Sequence, residues 1–245
     1  MNSRQHLHQS TLLIDGYLAQ MLGSRAAEAY HALMVGRSAA LIQSYTDERW
    51  PGCFLAAPPY GPDVDPYNPP PPLVVDIVIN EIGTVVKQKV WTPQNPSEVQ
   101  RYVRELFPPI FFFKQDGSLG LSLIHAAAGD CTSLRDASSV APVGTSAHAQ
   151  IRINWFGYAP WDRQIMIRSP TRGTIPLEKF AKYVAGKVKL FMEETANTPY
   201  HDQSGSTRWF IGDGGISPRN VILIGAIHVS QGSWMPILQL NRFII

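Results

Sequence analysis

The chain is poor in several things, and each shortage removes a class of protein. Its 245 residues hold two cysteines, Cys53 and Cys131. Two cysteines build no disulfide framework, no C-x-x-C occurs, and a reducing compartment is the simpler expectation. Charged residues make up 16% and the formal net charge is +2, so no strong field draws nucleic acid or an anionic membrane to the chain. No apolar run reaches the roughly 18 residues of a membrane helix. Asp15 and Gly16 break the apolar stretch near the start, which argues against a secretory signal. The expectation is a cytoplasmic protein with neither membrane nor nucleic acid as partner. His-Glu-x-x-His, EF-hand and zinc spacings are missing, as are the Walker and dinucleotide fingerprints. No metal and no cofactor are expected on these grounds.

Proline and tryptophan are plentiful instead, with 20 and 6 copies. The prolines crowd into residues 51–72, where AAPPYGPDVDPYNPPPP lacks the N–H groups and the free φ of helix or central strand. The segment is expected to be an extended connector, with docking into an aromatic groove as the second reading. Before it, residues 1–50 suggest a helical hairpin. Ser10 would cap a first helix bearing Leu13, Tyr17, Leu18 and Met21, and a second would carry Ala26, Tyr30, Leu33, Met34, Leu41 and Tyr45. Such a pair packs on its own chain or on a second copy as a homodimer. After the connector, residues 73–245 form the core domain.

In that domain, Leu73–Asn80 and Thr84–Trp91 are expected to pair as a hairpin across residues 80–83. Pro96 and Ser97 would start a short helix ending before Pro108-Pro109. Residues 110–114 and 119–124 flank Asp116-Gly117, which favours a tight turn. Residues 126–147 suggest a long loop. Thr174, Pro176 and Glu178 would open a long helix with a stripe of Leu177, Phe180, Ala181, Val184, Val188, Phe191 and Met192. Residues 195–215 are polar and glycine-rich. Ser217-Pro218 suggests a helix over 218–230, and residues 233–240 a last strand that Pro236 would confine to a sheet edge or bulge. Strands that come as hairpins favour an α+β fold with a mainly antiparallel sheet and packed helices, preceded by the N-terminal helical hairpin.

The segment with most to say about function is His148 to Arg168. Alternation over 150–155 and 163–168 predicts a hairpin with an aromatic, charged tip at 156–162. Trp155, Tyr158 and Trp161 are suited to stack on a sugar, a base or a proline-rich peptide, with Asp162 and Arg163 orienting it. With Ile151, Ile153, Trp155, Ile165 and Ile167 inward, Arg152, Asn154, Gln164 and Arg168 share the other face, a normal solvated surface that would also suit a polar ligand. These residues make a binding module for a polar small molecule or a protein partner the first expectation. The alternative is a metal-independent enzyme in which His228 is a general base partnered by Asp162 or Asp213. At the end of the expected 218–230 helix, His228 would otherwise serve the helix terminus. Cys131 has no base fixed beside it in sequence, so an inert thiol is expected. Gly212-Asp-Gly-Gly215 before a helix start resembles an anion loop only loosely, because Asp213 would repel phosphate.

Several segments, KQKVW (87–91), FFFKQDGSLGLSL (111–123), CTSLRDA (131–137), IRINWFGYAPWDRQI (151–165) and HVSQGSW (228–234), resemble ones in a group of uncharacterised proteins from mushroom-forming fungi. The resemblance implies an intracellular eukaryotic protein. It implies no activity and carries over no catalytic residue.

Overall fold

The computed structural model describes residues 16–23, 26–27, 44–47, 50–56, 73–79, 83–91, 106–169, 171, 173–201 and 207–243. The start of the expected first helix, nearly all of the second, the run 57–72 and most of the expected helix at 96–106 lie outside them. The chain divides into two compact units, Met1–Ile79 and Asn80–Ile245.

The first unit holds helix α1 (Tyr17–Leu22) and an antiparallel sheet in the order β1 (Ser44–Asp47), β2 (Trp50–Ala56), β3 (Leu73–Ile77). Two expectations change here. Tyr45 lies in a strand, not a helix. Pro51 lies in the central strand of a sheet, not in a connector. The proline is tolerated because it takes part in neither ladder: β1 pairs at Trp50, Leu55 and Ala56, and β3 pairs with Cys53 to Ala56. Residues 73–77 therefore pair back to β2. Among the described residues, the bridges of 83–91 go to Gln239 and Trp155 rather than to 73–79, in place of the expected 73–91 hairpin.

Asp76 of β3 is fully buried. Its carboxylate accepts the amide of Leu18 at 3.1 Å and that of Ile77 at 2.8 Å, which ties the start of α1 to the sheet. Burial pushes its pKa from 3.8 up to about 7 against the opposing pull of these amides.

The second unit is built on a six-stranded sheet. Its path runs β4 (Ile110–Phe111), β10 (Val221–Ser230), β11 (Ser233–Leu240), β6 (His148–Ile153), β7 (Trp161–Met166), and β5 (Leu121–Ser122) also pairs with β10. All pairings are antiparallel except β11 with β6. Arg168–Ser169 (β8) and Gly173–Thr174 (β9) form a separate two-stranded hairpin. The mixture of helices with a mostly antiparallel sheet makes the fold α+β.

Residues 218–230 are not a helix. Ser217 and Asn220 form the capping box expected of a helix start, but it closes a single 3-10 turn, Pro218–Asn220. The β-branched run that follows extends as β10. Nine of its ten residues are buried, so no alternation of polar and apolar marks it as a strand. In the middle of β10, Gly225 lets β4 approach: a Cβ there would stand 2.2 Å from the Ile110 carbonyl oxygen.

Pro236 is in the interior of the sheet rather than at its edge. β6 pairs with β11 only at Ser233 and Trp234. Farther along, residues 83–86 take over that side, with Val86 donating to the Leu238 carbonyl at 2.9 Å and Leu240 to that of Thr84 at 2.8 Å. Pro236 falls at the handover. There the buried Gln88 amide donates to the Pro236 carbonyl at 2.7 Å and accepts the Asn154 amide at 3.3 Å. One side chain thus satisfies backbone groups where the ladder lapses.

Helix α2 (Leu123–Ala128) occupies the start of the expected loop and packs on α3 (Leu177–Thr195). The stripe foreseen for α3 is buried from Phe180 to Met192 and gains Ala185. Its start differs from expectation. Pro176 is the N-cap, without a side-chain cap, and the Leu177 and Glu178 amides donate to the Ser139 and Ala137 carbonyls. α3 lies against the sheet through Phe180 on Trp234 and Phe191 on Trp155, with ring centroids 5.5 and 6.1 Å apart.

Candidate functional site

The β6–β7 hairpin forms where alternation placed it, in the register His148 with Met166 to Ile153 with Trp161. Its tip is residues 154–160. Trp161 and Asp162 therefore start β7 instead of crowning the turn. Gly157 makes the turn with φ +84°, and a Cβ there would strike the Tyr200 ring at 2.1 Å. The His201 amide donates to the Gly157 carbonyl at 3.0 Å, which fastens the tip to the chain beyond α3.

Trp155, Tyr158 and Trp161, the aromatics expected at the tip, have different surroundings. Trp155 is 1% exposed and belongs to the core, its indole N–H donating to the Trp209 carbonyl at 2.9 Å. Tyr158 is half-buried. Its hydroxyl accepts the Ile211 amide at 2.8 Å, and burial raises its pKa. Trp161 packs edge-on against Phe191 at 5.7 Å. Its indole N–H donates to Glu194 Oε2 at 2.7 Å, and Arg163, 4.8 Å above its ring, reaches the same oxygen at 2.9 Å. Trp161 is held on three sides by groups that leave it little rotamer freedom.

A cleft of about 480 Å³ opens beside these rings, lined by residues 157–161 and by Thr195, Thr198, Pro199 and His201. The Thr195 and Thr198 hydroxyls donate to the carbonyls of Phe191 and Thr195, so the walls are mainly aromatic and pyrrolidine surface. Phe156 stands at the tip, half exposed.

The opposite face of the hairpin is occupied by its own contacts. Arg152 stacks on Trp91 at 4.1 Å, donates to Ser233 Oγ at 3.1 Å and pairs with Asp162 at 3.6 Å. Burial lowers its pKa and Asp162 opposes that shift. Asn154 donates to the Lys89 carbonyl at 2.8 Å, and Arg168, in β8, to the Thr145 carbonyl at 3.2 Å.

His228 sits in strand β10 and not at a helix end, which removes the helix-terminus role. It is buried between Phe107 and Trp234, at centroid distances of 4.9 and 4.8 Å, and its Nδ1 accepts the Phe107 amide at 3.0 Å. Burial pushes its pKa from 6.5 down to about 4, so it is neutral at pH 7. Among the described residues no hydrogen bond or ion pair joins it to Asp162, whose partner is Arg152. Cys131 is buried, with its thiol pushed above the ordinary value by burial and by Glu178. No group of three or more His, Cys, Asp or Glu able to hold a metal occurs among the described residues, and no helix there is long and apolar enough to cross a membrane.

The structure brings Tyr158 and Trp161 together at the cleft, with Arg163 stacked on Trp161 behind it. It sends Trp155 into the core, and Arg152, Asn154 and Asp162 to the other face. Glu194, Pro199 and His201 were missed by sequence reasoning. Glu194 falls off the apolar stripe of α3 and gave no sign that it would meet a tryptophan 33 residues earlier. No family model matches the chain, nor does any curated protein or solved structure.

Proposed function

We propose that the protein is a binding module whose hairpin tip receives a ligand in the cleft between residues 157–161 and 195–201. The observation carrying this is Trp161, held in place by Phe191, Glu194 and Arg163 at the wall of that cleft. A ring fixed before binding loses little entropy on binding, which is how aromatic anchors gain affinity. The Arg163–Glu194 pair is mutually neutralised, and the walls offer flat apolar surface. Ligand chemistry suited to this is the apolar face of a sugar or the rings of a proline-rich segment of a protein partner.

Amide chemical shifts titrated with maltotriose and with decaproline test the proposal. One of the two is expected to perturb residues 157–161 and 195–201 saturably, and Trp161→Ala to abolish the effect with the remaining spectrum preserved. Absence of saturable shifts with both, or shifts indifferent to Trp161→Ala, overturns it. The acid-base reading has less to rest on, since His228 and Asp162 have separate surroundings.

A further inference from the structure

A second concavity, of about 660 Å³, lies along the first two turns of α3 against the β8–β9 hairpin and Gly129. Its size is in the range that small-molecule sites occupy. Lys179 and Lys182, three residues apart, share one side of α3 and both line it. Neither takes part in an ion pair among the described residues. The Lys182 side chain is laid over Gly129, where a Cβ would meet its ammonium nitrogen at 3.1 Å. The Lys179 ammonium stands 5.6 Å from the Tyr183 ring. The lining also includes Ser169, Thr174, Tyr183 and Glu178, with Ile175 and Pro176 as its apolar members. The Leu177 and Glu178 amides are already donated to loop carbonyls, so any anion here depends on the lysines and not on those amides.

We propose that this groove binds a sugar monophosphate. Two ammonium groups against one carboxylate leave an excess of one positive charge among the described lining residues, which partly offsets one phosphate monoester of about −2 at pH 7 and falls far short of a polyanion. Lysine serves a phosphate as a point charge without the geometric demands of an arginine fork. Glu178 would repel a bare anion, but it is an acceptor for the hydroxyls of an attached sugar. The mixed lining therefore selects the ester over its parts.

The test uses the full chain and amide chemical shifts, with ribose 5-phosphate, inorganic phosphate and ribose as probes. Ribose 5-phosphate is expected to shift Ser169, Gly173, Thr174 and residues 178–183, with affinity about tenfold or more above that of either part. The double variant Lys179→Gln/Lys182→Gln is expected to weaken it about tenfold or more while the other amides hold their positions. Glu178→Gln is expected to narrow the preference over inorganic phosphate, and Trp161→Ala to leave the binding unchanged. Equal affinity for inorganic phosphate and ribose 5-phosphate overturns the proposal, as do shifts centred elsewhere, insensitivity to the double variant, or no saturable shift with any probe at millimolar concentration.

Discussion

The His228 imidazole lies between the Phe107 and Trp234 rings, and its Nδ1 is already an acceptor. Protonation would place a charge on a buried ring. Because the folded pKa, about 4, is below the ordinary 6.5, its contribution to stability is fully present above pH 6.5. That contribution is lost as pH falls through about 4, amounting to about 3 kcal/mol. Urea unfolding at pH 7 and pH 4 measures it. His228→Gln, which keeps an acceptor without a titratable ring, is expected to flatten the dependence relative to the parent. Trp155 and Trp161 make a second contrast at this scale. Trp155→Phe removes a buried indole hydrogen bond and opens space in the core, so a loss of about 2–3 kcal/mol is expected in the same assay. Trp161→Ala is expected to cost less, since its hydrogen bond to Glu194 is exposed to solvent. If the two costs are alike, Trp161 is a core residue in the same sense as Trp155.

At the scale of elements, the handover beside Pro236 depends on Gln88. Gln88→Leu keeps the volume but leaves the Pro236 carbonyl and the Asn154 amide without that partner, at a cost of about 2–4 kcal/mol. Hydrogen exchange is expected to quicken first at Asn154. A neutral Gln88→Leu would mean the ladder closes by itself. Gly225→Ala, with no room beside the Ile110 carbonyl, is expected to detach β4 or prevent folding. The same elements show what a sequence discloses. The α3 stripe and the β6–β7 hairpin were legible because each has a solvent face, so burial writes its period into the chain. β10 was not legible because burial on both faces erases that period, and Ser217-Pro218 supplied a sound helix start for one turn only. The cleft was half legible: Tyr158 and Trp161 came from the hairpin. Its other wall comes from the end of α3 and beyond, brought near by tertiary packing that no local pattern encodes.

For the whole molecule, the two units carry opposite responses to acid. Asp76, in the first, has its pKa raised to about 7 from 3.8. Its contribution is therefore fully present below pH 3.8 and lost as pH rises through about 7. His228 acts in the reverse sense in the second unit. Between pH 7 and pH 4 the Met1–Ile79 unit is expected to gain stability while Asn80–Ile245 loses it, which probes specific to each unit can follow during thermal unfolding. Asp76→Asn is expected to remove the first response and leave the second. Movement of both units in the same direction would show that a titrating group other than these two dominates.

The strand at the middle of the larger sheet comes last in sequence order among the described strands. β11 separates β10 from β6, and its partner at Gln150 lies 83 residues upstream of Ser233. A ribosome delivers the β6–β7 hairpin well before the strand that joins it to β10, whereas β10 itself precedes that strand by only two residues. Until then each presents an open edge of unpaired amides and carbonyls, a template for pairing with another chain. Chains halted just before Ser233 would therefore be expected to clump during synthesis, even though nearly all of the sheet has been made.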